Sequence, residues 1–390
     1  MKLLDFFRDH NDEIIALLEE LVIHESPTAD KAAVDTLGEC VVEQLSESGA
    51  QVEIFPREEV GDILYASWNG GLPGKPILLL AHLDTVWPVG TIRDMPLWQS
   101  GVRLYGPGIL DMKAGIALIL KVMNLLNLHG GLPRRPIWAL FTTDEETGST
   151  YSRDLIEKVA ANVGLVLVFE PATQGETVKT SRRGTARYSV HIEGRPAHSG
   201  EEPEKGVNAI HEAAYQILRI AEWDAPEQGT SVAINVISGG IAPNIIAPQT
   251  QFLVDMRFAR QDEADRLVGL MSGLKPVQDG VRLAVRGGIR RPPMERNERM
   301  VRTYAQCAKL AGQLGLPVGE ELTGAGSDAN FTAALGIPTL DGLGARGEGM
   351  HAENEHVMVT SLPRRAALLA SILQNWEMDD DNSSDGEHGL

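Results

Sequence analysis

Three shortages narrow what this chain can be. Its 390 residues include two cysteines, Cys40 and Cys307, which excludes a disulfide-stapled scaffold and a thiolate-built metal site. Both lie in apolar-periodic segments, residues 32–45 and 300–314, and read as small core residues rather than a disulfide or a nucleophile. Cations are also in deficit. Lysine and arginine total 35 against 54 acidic residues, a formal charge of -19, which argues against nonspecific nucleic-acid binding. Part of the excess is local: residues 377–390 carry six of the acidic residues together with Asn, Ser and Gly, and residues 379–390 read as an acidic, disordered, solubilising tail. Long apolar runs are missing too. No stretch approaches the roughly 20 residues of a membrane span. Residues 1–22 mix Asp, Glu, Arg and His into an amphipathic pattern without the apolar core of a signal peptide. The expectation is a cytoplasmic protein with no membrane and no nucleic-acid partner.

What remains is an ordinary globular composition, 43% hydrophobic and 23% charged, at a length that suggests two or three domains. Periodicity predicts helices over residues 5–23, 28–48 and 112–128, and strands over 51–56, 63–68, 76–86, 135–143 and 164–169. Strands alternating with helices indicate an α/β layer sandwich. From about residue 183 the order becomes strand (185–193), helix (206–221), strand (231–238), strand (251–258), helix (262–274), strand (281–286), the ferredoxin-like split arrangement. After Pro292-Pro293 come helices over 297–314 and 362–376, with a short strand near 338–340. The simplest organisation is an insertion: residues 1–182 and 295–378 build one catalytic domain, and 183–294 form an α+β lid.

Histidines and carboxylates cluster at the ends of the apolar runs. His82 and Asp84 close the first strong buried strand, two apart and so on one face. Asp111 precedes a long helix. Glu145-Glu146 follow the next strand, Glu170 follows six apolar residues, and His351 lies in a glycine-rich loop. In open α/β sheets ligands bind outside the carboxyl ends of strands. Nitrogen and oxygen donors without thiolate suit zinc. Each site has a plainer reading, such as a solvated loop for His82-Leu83-Asp84, a helix cap for Asp111, or a solvated pair for Glu145-Glu146. Taken together, these positions favour a metal-dependent hydrolase.

The set His82-Leu83-Asp84-Thr85-Val86, Asp111-Met112-Lys113, Glu145-Glu146-Thr147-Gly148-Ser149, Glu170-Pro171 and His351-Ala352-Glu353-Asn354-Glu355 resembles the aminoacylase/carboxypeptidase family of two-zinc metallohydrolases. The phrase spanning 82–91 is most similar to the bacterial glutamate carboxypeptidase branch, and the resemblance covers essentially the whole chain. It implies a zinc-exopeptidase-like three-layer α/β/α catalytic domain with an inserted ferredoxin-like lid that also serves dimerisation. It implies two Zn2+ per chain, with Co2+ or Mn2+ as substitutes: one held by His82, Asp111 and Glu170, the other by Asp111, Glu146 and His351. Glu145 would be the general acid/base and Asp84 would orient His82. A cis peptide would follow Asp111. Met112 stands where some relatives carry Asp or Gly, altering the wall of the site and not its ligands. His198, otherwise a surface-loop residue, would be an oxyanion donor, reaching across a homodimer made through the lid. Arg291 and Asn244 resemble lid residues that hold the substrate carboxylate. Arg257 is a second arginine option, or a sheet-face residue paired with Asp255 or Glu193. Gly324 to Ser327 offer backbone N–H groups to a carboxylate or form an ordinary tight loop. The implied activity is hydrolysis of an amide that releases a C-terminal amino acid, on an N-acyl amino acid or short peptide. An N-acyl-amino-acid deacylase is the neighbouring alternative. A non-catalytic metal-binding scaffold is the alternative of another class, against which the presence of both Glu145 and a full ligand set argues.

Overall fold

The computed structural model describes residues 2–378, so the expected acidic tail lies outside the described residues. The chain divides into two compact units: Met1–Thr180 with Arg296–Leu322 and Ser327–Leu390, and Ser181–Glu295 with Thr323–Gly326. The second unit includes a return segment that the hydrophobic pattern assigns to the catalytic domain. Polar main-chain contacts explain it: the Arg182 guanidinium donates to the carbonyls of Ala325 and Gly326 at 3.0 and 3.1 Å, and the Arg183 amide donates to Thr323.

The first unit is built on a six-stranded mixed sheet. From edge to edge its strands are Gln51–Phe55, Ile63–Trp68, Ile137–Thr142, Ile77–His82, Leu165–Val168 and Thr339–Leu340. The last four are parallel, and the first two are antiparallel additions. Every residue of Ile77–His82 and Leu165–Val168 is buried, as befits parallel strands covered on both faces. Register aligns His82 with Thr142, and Leu80 with Val168. The loops that follow therefore leave the sheet at one edge. The helix Ala114–Leu128 is apolar on nearly all sides and is buried along most of its length.

Several elements differ from their sequence expectation: the strand expected over 76–86 ends at His82, so Asp84 lies past it, and that expected over 281–286 runs on to Arg291. The predicted helix over 5–23 is two helices, Leu3–Asp9 and Asn11–Ile23, broken at His10. The His10 ring bonds the Phe6 carbonyl through Nδ1 at 2.8 Å, occupying the acceptor that the next helical turn would use. The helix predicted to start at Met112 starts regularly at Ala114, after an irregular turn, Ile109–Lys113, in which Asp111 and Met112 are non-helical. The peptide between them is cis. A small sheet of Trp98–Ser100, Arg103–Tyr105, Gly347–Glu348 and His356–Met358 escaped the periodicity reading, because strands this short carry no alternation to detect.

In the second unit four antiparallel strands lie in the order Ser231–Gly239, Gln249–Phe258, Gly184–Glu193, Arg282–Arg291. Numbered along the chain that order is two, three, one, four, the ferredoxin-like arrangement. The helices Ala209–Ala221 and Gln261–Ser272 pack on the sheet. Alternating burial along Gly184–Glu193 shows one face turned to a core that includes Val190, Phe252, Phe258 and Leu267. No helix among the described residues is long and apolar enough to cross a membrane.

Candidate metal centre

The parallel strands deliver their side chains to one edge. His82 ends its strand, Glu145 and Glu146 form a single turn just past Thr142, and Glu170 follows Val168 by two residues. Asp111 comes from the irregular turn before the long helix. The start of that helix approaches the segment leading into Glu170 closely because residue 115 is glycine: a Cβ there would lie 2.3 Å from the Phe169 carbonyl oxygen. His351 stands in the left-handed region at φ 61°, sparsely populated for residues other than glycine.

These side chains meet as two groups that share Asp111. His82 Nε2 lies 3.3 Å from Asp111 Oδ1 and 3.7 Å from Glu170 Oε1. His351 Nε2 lies 3.2 Å from Asp111 Oδ2 and 3.3 Å from Glu146 Oε2. Donor atoms of His82, Glu145 and Glu170 also fall within 4.8 Å of one another. His82, Asp111 and Glu170 are buried, and the His351 ring is about half exposed. His82 Nε2, Asp111 Oδ1 and Glu146 Oε1 are buried without a hydrogen-bond partner. Orphaned buried polar atoms are rare in folded proteins, and here three of them converge. A nitrogen-and-oxygen donor set of this kind fits divalent ions of the zinc type.

The electrostatics are those of carboxylates pressed against imidazoles. Hydrogen bonds to Asp111 and then Glu146 raise His351 to about 10. Burial disfavours the charged form of His82, yet the neighbouring carboxylates of Asp111 and Asp84 outweigh it and raise that ring well above its usual value. Burial pushes Asp111 upward, but His351 and His82 hold it below the normal carboxylate range. Glu146 is shifted upward, chiefly by burial. A cation between the two groups would replace the protons on these rings.

Asp84 meets the His82 ring chiefly through its main chain. His82 Nδ1 bonds the main-chain carbonyl of residue 84 at 2.9 Å, while the Asp84 carboxylate stands 3.4 Å away. That carboxylate also accepts from the amides of Glu145 and Glu146, each at 3.2 Å, and from the Thr28 hydroxyl at 2.7 Å. Asp111 does not act as a cap, since the following helix has no side-chain cap. Met112 is buried behind the ligand strand, its sulfur 3.2 Å from the His82 amide, and so does not line an open wall. Cys307 is a core residue as its pattern indicates, whereas Cys40 is only half buried, beside Glu20.

The remaining sequence candidates belong to the second unit. His198 is exposed, and its Nδ1 accepts from the amides of Gly200 and Glu201 at 3.2 Å each. Asn244 lies beside it, its carbonyl accepting from Ser199. Arg257 pairs with Asp255 at 3.3 Å and donates to the Gly324 carbonyl, the sheet-face option among its two readings. Arg291 is buried at the end of its strand. Sequence reasoning assigned no part to Glu355, whose buried carboxylate accepts from the turn that carries Asp111. The available signal was an acidic residue placed immediately before a buried strand.

Comparison with known proteins gives this arrangement a family. Residues 78–375 match the model of peptidase family M20/M25/M40. The chain is 32% identical over 377 residues to carboxypeptidase G2 of Pseudomonas sp. (strain RS-16), covering 94% of this chain and 90% of that protein. It is 27% identical to a succinyl-diaminopimelate desuccinylase of Methylococcus capsulatus, covering 93% and 98%. In fold it is similar to the crystal structure of aminopeptidase PepT from Bacillus cereus, with a TM-score of 0.75 at 22% identity over 93% of this chain and 98% of that one. The family match spans most of the chain and includes every residue of the two donor groups, so the protein belongs to peptidase family M20/M25/M40 and is a metallopeptidase.

Proposed function

We propose that the protein is a two-zinc hydrolase of the carboxypeptidase type, cleaving an amide whose leaving group is a free amino acid, with glutamate the first candidate. The observation that carries this reading is the pair of ligand groups sharing Asp111, with a buried polar atom of His82, of Asp111 and of Glu146 left without a hydrogen-bond partner. Likeness to carboxypeptidase G2 supports the choice of leaving group. Likeness to desuccinylases supports the second reading, an N-acyl-amino-acid deacylase using the same centre. His82, Asp111 and Glu170 would hold one ion, and Asp111, Glu146 and His351 the other. Two bound divalent ions acidify water and polarise a scissile carbonyl.

The chain's own residues then move the protons. The Glu145 carboxylate takes a proton from the attacking water and delivers it to the leaving nitrogen. Asp84 positions Glu145 by holding its main-chain amide. His198 would stabilise the oxyanion: its Nδ1 accepts two amide bonds, which leaves the proton of the neutral ring on Nε2 as a donor. A guanidinium fits a substrate carboxylate in a bidentate manner, and Arg291 and Arg257, with Asn244, are the proposed holders. We further propose a homodimer through residues 183–294. The edge strand Ser231–Gly239 exposes Val236 and Ile237, and the helix Ala209–Ala221 packed on it exposes Tyr215 and Leu218. An unpaired apolar edge of this kind favours association. Two free cysteines fit a reducing, cytoplasmic location. The test is release of free amine from N-acyl amino acids and short peptides, with and without a chelator. Hydrolysis of acyl-glutamates that chelation abolishes is the expected result; turnover unaffected by complete metal removal would overturn the reading.

A further inference from the structure

Glu355 lies four residues beyond His351 and is 1% exposed. One carboxylate oxygen accepts from the amides of Leu110 and Asp111 at 2.9 and 3.1 Å. The other accepts from the Gly108 amide at 2.9 Å and the Trp87 indole at 2.7 Å. The turn it holds is the irregular one, where Asp111 is non-helical, so two amides of that turn and that of Gly108 just before it depend on this side chain. Buried amides without a partner are strongly disfavoured, and the two oxygens of one carboxylate can accept from all three. The main chain of Glu355 is tied to the other side of the centre. Its amide donates to Ala352, next to His351, and its carbonyl accepts from Gly106.

We propose that Glu355 is a positioning residue, locking the turn that presents Asp111 against the loop that presents His351, so that one carboxylate faces both donor groups. The inference rests on the metal-centre reading above. Glutamine at this position would turn an NH2 group toward amide donors and lose acceptor capacity.

The test is metal uptake by the full, metal-free chain, titrated in competition with a chromogenic chelator. Partners that orient ligands typically contribute about 10–100-fold to metal affinity, so Glu355→Gln should weaken binding of at least one ion by about that factor. Trp87→Phe leaves the three amide donors in place and should weaken binding in the same direction by only about two- to fivefold. The control is Glu212→Gln. Glu212 is equally buried and accepts from the amides of Val277 and Gln278 and from the Gln216 side chain, but it lies in the other unit. That variant should lower Tm and leave affinity unchanged. Affinity within about twofold of native in Glu355→Gln, or an equal loss in Glu212→Gln, would overturn the proposal. Should Glu355→Gln not fold, Trp87→Phe decides: native affinity there overturns it. A native chain that takes up no metal would sink the metal-centre reading, and the positioning role with it.

Discussion

Gly115 is the second residue of the helix Ala114–Leu128, and replacing it with alanine sets two effects against each other. Alanine in a helix is favoured over glycine by roughly 0.5–1 kcal/mol, less so this close to the helix start. Against that, the added Cβ would stand 2.3 Å from the Phe169 carbonyl oxygen and 2.9 Å from Phe169 Cβ. The oxygen cannot swing aside, because it is main chain, and the Phe169 amide is bonded to Leu80 at 3.0 Å. Overpacking of this kind typically costs about 1–3 kcal/mol. The clash wins, and the net destabilisation should be about 0.5–2 kcal/mol. The displaced segment also leads directly into Glu170, so metal affinity should fall together with stability. Gly269 supplies the contrast: it is also within a helix, Gln261–Ser272, but has nothing within 4 Å of its would-be Cβ. There alanine should stabilise by up to about 1 kcal/mol. Chemical unfolding of the metal-free proteins and chelator-competition titration read both quantities. A Gly115→Ala variant that is more stable than native and binds metal normally would refute the reasoning.

Glu145→Gln keeps the shape of the side chain but removes its basicity, so turnover should fall by about 10²–10⁴-fold while metal content, read by elemental analysis, stays at the native value. Metal uptake should release protons, because both imidazoles carry them in the metal-free state and a ligating nitrogen cannot; calorimetry in buffers of different ionisation enthalpy measures this, and affinity should weaken as pH falls. His351 is raised by its carboxylates, so its contribution to metal-free stability is complete below its usual pKa near 6.5 and fades as pH rises toward about 10, a trend that denaturation midpoints across that range would show or exclude. Burial raises the Cys307 thiol to about 12, so it should resist a thiol reagent at neutral pH until the protein unfolds; prompt labelling of the native chain would contradict its core placement. Mixing His198→Ala subunits with Glu145→Gln subunits should restore part of the activity if His198 serves the partner's centre, and no recovery despite proven subunit exchange would rule out that arrangement.

Sequence legibility followed physical scale. The buried strands Ile77–His82 and Leu165–Val168 are uninterrupted apolar runs, and the residues that end such runs must emerge at a sheet edge. That is why His82, Glu145, Glu146 and Glu170 could be grouped before any coordinates. The ferredoxin-like order was readable because its strands alternate over many residues. The break at His10 was not, since one ring bonding to one carbonyl leaves no periodic trace. Nor was the segment Thr323–Gly326, whose place is decided by backbone carbonyls facing Arg182.

Asp84 shows where motif reasoning reaches its limit. Proximity in sequence pairs its carboxylate with His82, two residues away. In the fold the main-chain carbonyl of residue 84 bonds that ring, and the carboxylate, 3.4 Å from it, also holds two amides of the Glu145–Glu146 turn and the Thr28 hydroxyl. Glu355 acts in the same way on the Asp111 turn. Both are buried carboxylates satisfied by main-chain N–H groups, and both fix a segment that presents a metal-facing carboxylate. The centre thus depends on two tiers of acidic residues that composition cannot tell apart. In one tier Asp111 and Glu146 each bring a buried oxygen without a hydrogen-bond partner to the cation site, and the other has its oxygens filled by amides. For Asp84 and Glu355 that filling is a matter of tertiary structure, because the amides involved lie dozens to hundreds of residues away along the chain.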